Sequence, residues 1–137
     1  MEIFIFNEVK EVSSSRLKKV IHTILRWEKA KTDGLAVVFL EAKEIKKLNF
    51  KYRQKNYPTD VLSFEDKERD YLGEVIICPA EIRKNARQSK INFKEELARV
   101  LIHGILHLLG YDHQKSREQE RLMIARQELY LSKIKLS

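Results

Sequence analysis

Three of the four histidines in this chain, His103, His107 and His113, fall within eleven consecutive residues. On a helix, His103 and His107 share one face, with Cβ atoms about 5–6 Å apart. Two imidazoles at that separation can converge on one ion at a Zn–N distance of about 2.0–2.1 Å. Gly110 is placed to end the helix and turn the chain, because glycine takes positive φ cheaply. Tyr111 and Asp112 then carry the backbone round so that His113 supplies a third ligand. The competing account, core histidines bonded to neighbours, needs polar partners in a very apolar segment, since an unpaired buried polar group costs about 2–7 kcal/mol. Shared ligation is the simpler account. Three protein ligands leave one position open, as catalytic rather than structural zinc sites do.

The spacing H-x3-H-x2-G-x2-H fits the metzincin frame, H-E-x-x-H-x-x-G-x-x-H. It departs where Gly104 replaces the general-base glutamate. A helix-interior glycine costs about 1 kcal/mol relative to alanine, so something is expected to approach the backbone there. The missing carboxylate weighs against a zincin-like peptidase or amide hydrolase, which is one alternative function. Charge weighs against it too. Lys and Arg number 27 against 20 Asp and Glu, a formal net charge of +7. Such a balance favours polyanionic partners, and counterion release adds affinity for nucleic acid. The excess is spread along the chain, however, and solvated helix faces account for it equally well.

The elements that must position these residues follow from periodicity. Ile3 to Phe6 suit a buried strand. Ser13 to Ser15 offer N-caps for a helix with Leu17, Val20, Ile21, Ile24 and Leu25 inward. After the Asp33-Gly34 turn, Leu35 to Leu40 read as a second strand. Ala42 to about Phe50 read as a helix with Ile45 and Leu48 inward, and Pro58 breaks the pattern. Val61 to Phe64 and Leu72 to Ile77 form a hairpin across a charged stretch. Pro79 opens a short helix running to about Ser89. Asn92 and Glu95 resemble a capping box before an apolar helix from Phe93 to Leu109, which belongs in the core. A final helix covers about Lys115 to Leu131, with Leu122, Ala125 and Leu129 inward.

This is one α+β domain over residues 1–137, with about four strands in a mixed sheet and about five helices, the histidine helix being central. Its 137 residues suffice for a real core. No apolar run approaches the roughly 20 residues that cross a bilayer, and the start carries no secretory signal pattern. Cys78 is the only cysteine, which fits a reducing compartment. The expected location is cytoplasmic.

His103-Gly104-Ile105-Leu106-His107-Leu108-Leu109-Gly110-Tyr111-Asp112-His113 resembles the H-G-x-L-H-L-x-G-Y-D-H signature of the YbeY family of metal-dependent endoribonucleases. Tyr52-Arg53 followed by Pro58-Thr59-Asp60-Val61-Leu62-Ser63-Phe64 is similar to that family's YR…PTDVLSF stretch, and Leu72 to Ile77 to its LGDI-V-I strand. The likeness spans about Lys47 to Met123. Two positions depart from the pattern: Glu74 stands for an aspartate, and Cys78 for a serine that would cap the next helix.

The resemblance implies a zincin-like α+β fold and a single-strand-specific endoribonuclease. It implies action in rRNA processing, notably 3′-end maturation of small-subunit rRNA, and in ribosome quality control. RNA, as rRNA in ribosomal particles, is the implied partner, alongside ribosome-associated proteins and with no membrane. His103, His107 and His113 become ligands of one zinc ion, and Arg53 the active-site arginine. Imidazoles also suit nickel, copper and iron, so another divalent metal fits the same ligands. The ion is expected to act as Lewis acid on the scissile phosphate and on water, whose pKa then falls toward about 7. Arg53 would hold a phosphate oxygen with its planar fork.

No general base is evident, and attack by water or by the RNA 2′-hydroxyl both stay open. Asp112 is placed to orient a ligand imidazole from behind, and Glu96 to pair with a surface cation. His22 is expected to be partly buried, with Met123 and Cys78 in the core. Phe50 and Tyr52, beside Lys51 and Arg53, suit either base stacking or core anchoring. A non-catalytic rRNA-binding assembly factor is the other alternative function.

Overall fold

The short apolar runs at both ends of the first helix pair with each other. The computed structural model describes residues 1–66, 70–111 and 116–136. In chain order they form β1 (Glu2–Phe6), α1 (Ser14–Trp27), β2 (Gly34–Phe39), α2 (Ala42–Arg53), β3 (Val61–Glu65), β4 (Tyr71–Ile77), α3 (Pro79–Ser89), α4 (Phe93–Leu108) and α5 (Arg117–Lys133). The strands make one mixed sheet in the order β1-β2-β4-β3. β1, β2 and β4 run parallel, and β3 returns antiparallel to β4 with Val61 opposite Ile77. The α+β architecture of four strands and five helices is therefore the one expected. Among the described residues no helix is long and apolar enough to cross a membrane.

Side chains of a strand alternate between its two faces, and here both faces are used. Ile3, Leu35, Val37, Val75 and Ile77 join the main core with α1 and α4. Leu62 and Ile76 meet Ile45 of α2 in a smaller cluster with Cys78. α4 lies against β3, β4, α3 and α5, and Leu97, Leu101, Ile102, Ile105 and Leu106 are fully buried. Burying a Leu or Ile side chain stabilises by about 1.5–3 kcal/mol each, so the helix bearing the histidines is pinned along its length.

The expected caps form, with one variation. Ser13 Oγ accepts from the Arg16 amide, and Pro79 opens α3 at its first turn. Asn92 Oδ1 accepts from the Glu95 amide at 2.8 Å. The Glu95 carboxylate, however, is bonded by the Asn92 side-chain amide rather than by a backbone N–H. Cys78 precedes α3 without a side-chain capping bond, as its lack of a hydroxyl implies.

Three expectations are corrected. α2 does not stop at Phe50. It continues to Arg53 and ends where Gln54 adopts a left-handed conformation at φ 58°, four residues before Pro58. In α5 the inward face is not Leu122, Ala125 and Leu129: Leu122 and Leu129 are 45% and 43% exposed, and Ala125 is exposed too. Met123, Tyr130 and the following Ile134 are buried instead, with the polar Gln127 between them. That break in the apolar stripe is what made the neighbouring face look more hydrophobic. His22 is exposed rather than partly buried, because the buried positions 17, 20, 21, 24 and 25 turn it outward.

Candidate active site

His103 and His107 lie one turn apart on the last two turns of α4. Their rings are 4.7 Å apart between centroids and inclined at 73°. Both are partly buried and line a cleft of about 670 Å³ bounded by β3, the end of α2 and Leu108. His103 Nδ1 is 2.9 Å from Gln127 Oε1 of α5. A carbonyl oxygen can only accept, so the contact is a hydrogen bond when Nδ1 carries the proton, and in the neutral ring that leaves the lone pair on Nε2. Neutral imidazole with one nitrogen held by an outer partner is the usual state of a metal-ligating histidine, so the donor set fits a divalent ion. Among the described residues no group of three or more metal-binding side chains gathers on one point. The expected third ligand, His113, lies outside the described residues, as does Asp112 with its expected orienting role.

Arg53 lines the same cleft. Its place as the last residue of α2 brings it there across the sheet edge from the histidines. It is exposed, and none of the ion pairs among the described residues involves it. A guanidinium in the same cleft as two imidazoles supplies a fork for an anionic group bound there.

The backbone at Gly104 explains the departure from the protease-like frame. A Cβ there would lie 2.6 Å from Val75 Cγ1 and 3.3 Å from Ser63 Oγ. β3 and β4 occupy the space that a side chain would need. Ser63 Oγ also donates to the Gly104 carbonyl at 3.1 Å, fastening α4 to β3 between the two histidines. The glycine implies a close approach to the backbone, and the structure shows that β3 and β4 make it.

α4 ends with paired reverse bonds. The Gly110 amide donates to His107 O and the Tyr111 amide to Leu106 O, each at 3.1 Å, with Gly110 at φ 101°. This is the Schellman arrangement, and it needs the glycine.

The model of the family described as endoribonuclease YbeY matches residues 3–135. This chain belongs to that family. It is 36% identical to endoribonuclease YbeY of Bdellovibrio bacteriovorus, over 93% of this chain and 91% of that protein. Against the protein of the same name from Thermodesulfovibrio yellowstonii it is 38% identical, over 88% and 86%. A solution structure of a Thermotoga maritima protein, 37% identical, superposes with a TM-score of 0.70 over 95% of this chain and 87% of that one.

Two supports of this YbeY-family site were not anticipated. Gln127 is the first. Its signal was present, a polar residue interrupting the Met123, Tyr130, Ile134 stripe, but pointed to nothing without the position of His103. Glu28, just past α1, is the second. It accepts from Tyr111 Oη at 2.7 Å and from Tyr130 Oη, and lies 3.9 Å from Arg126. The residue that follows the glycine turn is thus tied to both α1 and α5. Burial and the Glu28 carboxylate push the Tyr111 phenol up to about 12, and the same causes raise Tyr130.

The remaining candidates resolve simply. Met123 and Cys78 are buried, as expected. Glu96 pairs with Arg99 at 3.4 Å, yet is itself buried, and desolvation raises its pKa. Asp60 is a cleft carboxylate whose oxygens accept from Thr59 and Asn85. Phe50 and Tyr52 are exposed, so neither is a core anchor.

Proposed function

We propose that this protein is a metal-dependent, single-strand-specific endoribonuclease of the cytoplasm. Its substrate is rRNA within ribosomal particles, and its role is 3′-end maturation of small-subunit rRNA and quality control of ribosomes. The observation that carries this reading is the shared cleft: Arg53 lines it together with His103 and His107 in a chain of the YbeY family.

His103, His107 and His113 would hold one ion, zinc or another divalent metal. When bound, it supplies Lewis acidity at a phosphate oxygen. The protein's own groups do the rest. Arg53 grips a second oxygen of the scissile phosphate and offsets charge that builds as the phosphorus becomes five-coordinate. Gln127 would hold the His103 ring through Nδ1, leaving Nε2 for the ion. Ser63 and Gly104 hold the helix against β3, so the distance from histidines to Arg53 is set by packed elements rather than by loops. The space closed at Gly104 leaves no room for a metzincin-type base, which counts against the peptidase alternative.

The test is metal analysis of the purified protein joined to an assay on single-stranded RNA, before and after chelation. Cleavage that depends on the ion and returns when it is restored supports the reading. Cleavage that persists unchanged after complete removal would sink it. A 2′,3′-cyclic phosphate on the product would assign the attack to the RNA 2′-hydroxyl.

A further inference from the structure

Tyr52 stands immediately before Arg53 and lines the cleft with the two histidines. The same ring also lines a second groove of about 1020 Å³, which runs over the sheet face left open beside α2. Tyr52, Phe64 and Glu65 belong to both, so the two hollows adjoin at these side chains. Tyr52 is 52% exposed, and its ring is held edge-to-face against Phe64 at 5.0 Å between centroids. Lys51 places its ammonium 5.2 Å from the ring centroid. A large aromatic side chain held half in solvent is an uneconomical core residue and a ready stacking surface.

Charge decides what can enter the groove. Its walls carry Glu65, Asp66 and Glu74 beside the apolar Val38, Leu48 and Ile76. Carboxylates there repel phosphates but tolerate a neutral heterocycle with exocyclic amino groups. The cations Lys51 and Arg53 lie on the α2 side, where a backbone would pass. We propose that Tyr52 is the stacking platform for one unpaired base next to the scissile phosphate, with the phosphate on Arg53 and the base turned toward the sheet face. This rests on the ribonuclease reading of the cleft and adds a physical source for single-strand preference. A base can lie on Tyr52 only after leaving its own helical stack, a step that paired RNA resists.

The experiment uses the full-length, metal-loaded protein and a short single-stranded RNA oligonucleotide cleaved at one position. Nucleotides flanking that position are replaced one at a time by an abasic residue. Base–aromatic stacking is lost on alanine substitution at about 5- to 150-fold in affinity. Tyr52→Ala is therefore expected to raise KM by a factor in that range with a smaller change in kcat, and Tyr52→Trp to restore most of the loss. One abasic position should penalise the parent by a similar factor and leave Tyr52→Ala almost unaffected. A 2-aminopurine at that position should be quenched by the parent and not by Tyr52→Ala. The proposal is overturned if Tyr52→Ala, still folded by its thermal melt, keeps the parent KM, or if every abasic penalty is equal in the two proteins. Failure of the parent to bind or cleave RNA overturns the ribonuclease reading as well, and so is distinguishable from failure of the stacking step alone.

Discussion

His103 Nδ1 and Gln127 Oε1 lie 2.9 Å apart, a bond between α4 and α5 across 24 residues of sequence. It explains why a polar side chain occupies the inner face of α5 and why that helix presents so weak an apolar stripe. The bond favours the neutral tautomer protonated on Nδ1 and orients the ring of His103.

From this follows an effect on metal affinity without loss of fold. Removing an outer partner of a ligand histidine typically costs about 10- to 100-fold in metal affinity. Gln127→Ala is expected to lose zinc affinity by that factor in a chelator competition, while Gln127→Glu, which keeps an acceptor oxygen, retains it. Nitrogen shifts of the His103 ring should show Nδ1–H dominant in the parent and mixed tautomers in Gln127→Ala. Unchanged affinity and tautomer would show that the bond positions nothing.

Gly104→Ala tests the close packing of α4 on the sheet. Alanine gains about 1 kcal/mol of helix propensity, but its Cβ would meet Val75 Cγ1 at 2.6 Å. Valine is stiff at χ1, so the helix must withdraw, and overpacking of this kind costs about 1–3 kcal/mol. The net outcome expected in urea denaturation is a loss of up to about 2 kcal/mol, the overpacking cost less the propensity gain. RNA cleavage should fall further than stability does, because both histidines ride on the displaced segment. A variant at least as stable as the parent would mean that α4 does not depend on the glycine.

The Glu28 clamp gives an alkaline signature. Free tyrosine ionises at 10.0, whereas Tyr111 is raised to about 12. The folded state therefore holds this proton more tightly than the unfolded chain. The stability it contributes is complete below pH 10 and is lost as pH rises through about 12. Tyr111→Phe removes one hydrogen bond to a charged acceptor, about 1.5–3 kcal/mol. In absorbance titration Tyr111→Phe should lose the phenolate transition near 12, and the difference in stability between the two proteins should shrink above pH 10. A parent whose tyrosines all ionise near 10 would refute the clamp.

Much of this was legible in the sequence, for physical reasons that differ between elements. α1 and α4 are written in residues whose burial is their whole function, so Leu17 to Leu25 and Leu97 to Leu106 declare their inward faces. The glycine turn is a local backbone requirement, and Gly110 states it openly. The apolar pattern of α5 points to the wrong face because Gln127 serves His103 rather than the core. The end of α2 was placed a turn early because Gln54, an ordinary polar residue, adopts the left-handed conformation usually marked by glycine or asparagine. That missed turn is the one carrying Tyr52 and Arg53. Glu28 could not be found by spacing at all, since its phenol partners are 83 and 102 residues away.

Arg53 offers the sharpest test of the chemistry. It is exposed on the end of a helix whose core contacts are Ile45 and Asn49, so Arg53→Ala should melt with the parent. If the guanidinium meets the phosphate mainly as charge develops, its loss should appear in kcat rather than KM. Removal of a single transition-state donor typically costs about 100- to 1,000-fold in kcat, and that range is expected in single-turnover cleavage of single-stranded RNA. Arg53→Lys should recover only part of the rate, because an ammonium keeps the charge but loses the planar fork. Zinc affinity should stay at the parent value, separating this variant from Gln127→Ala. Equal turnover by Arg53→Ala and the parent would remove the arginine from the mechanism, and would leave the histidine end of the cleft to account for catalysis.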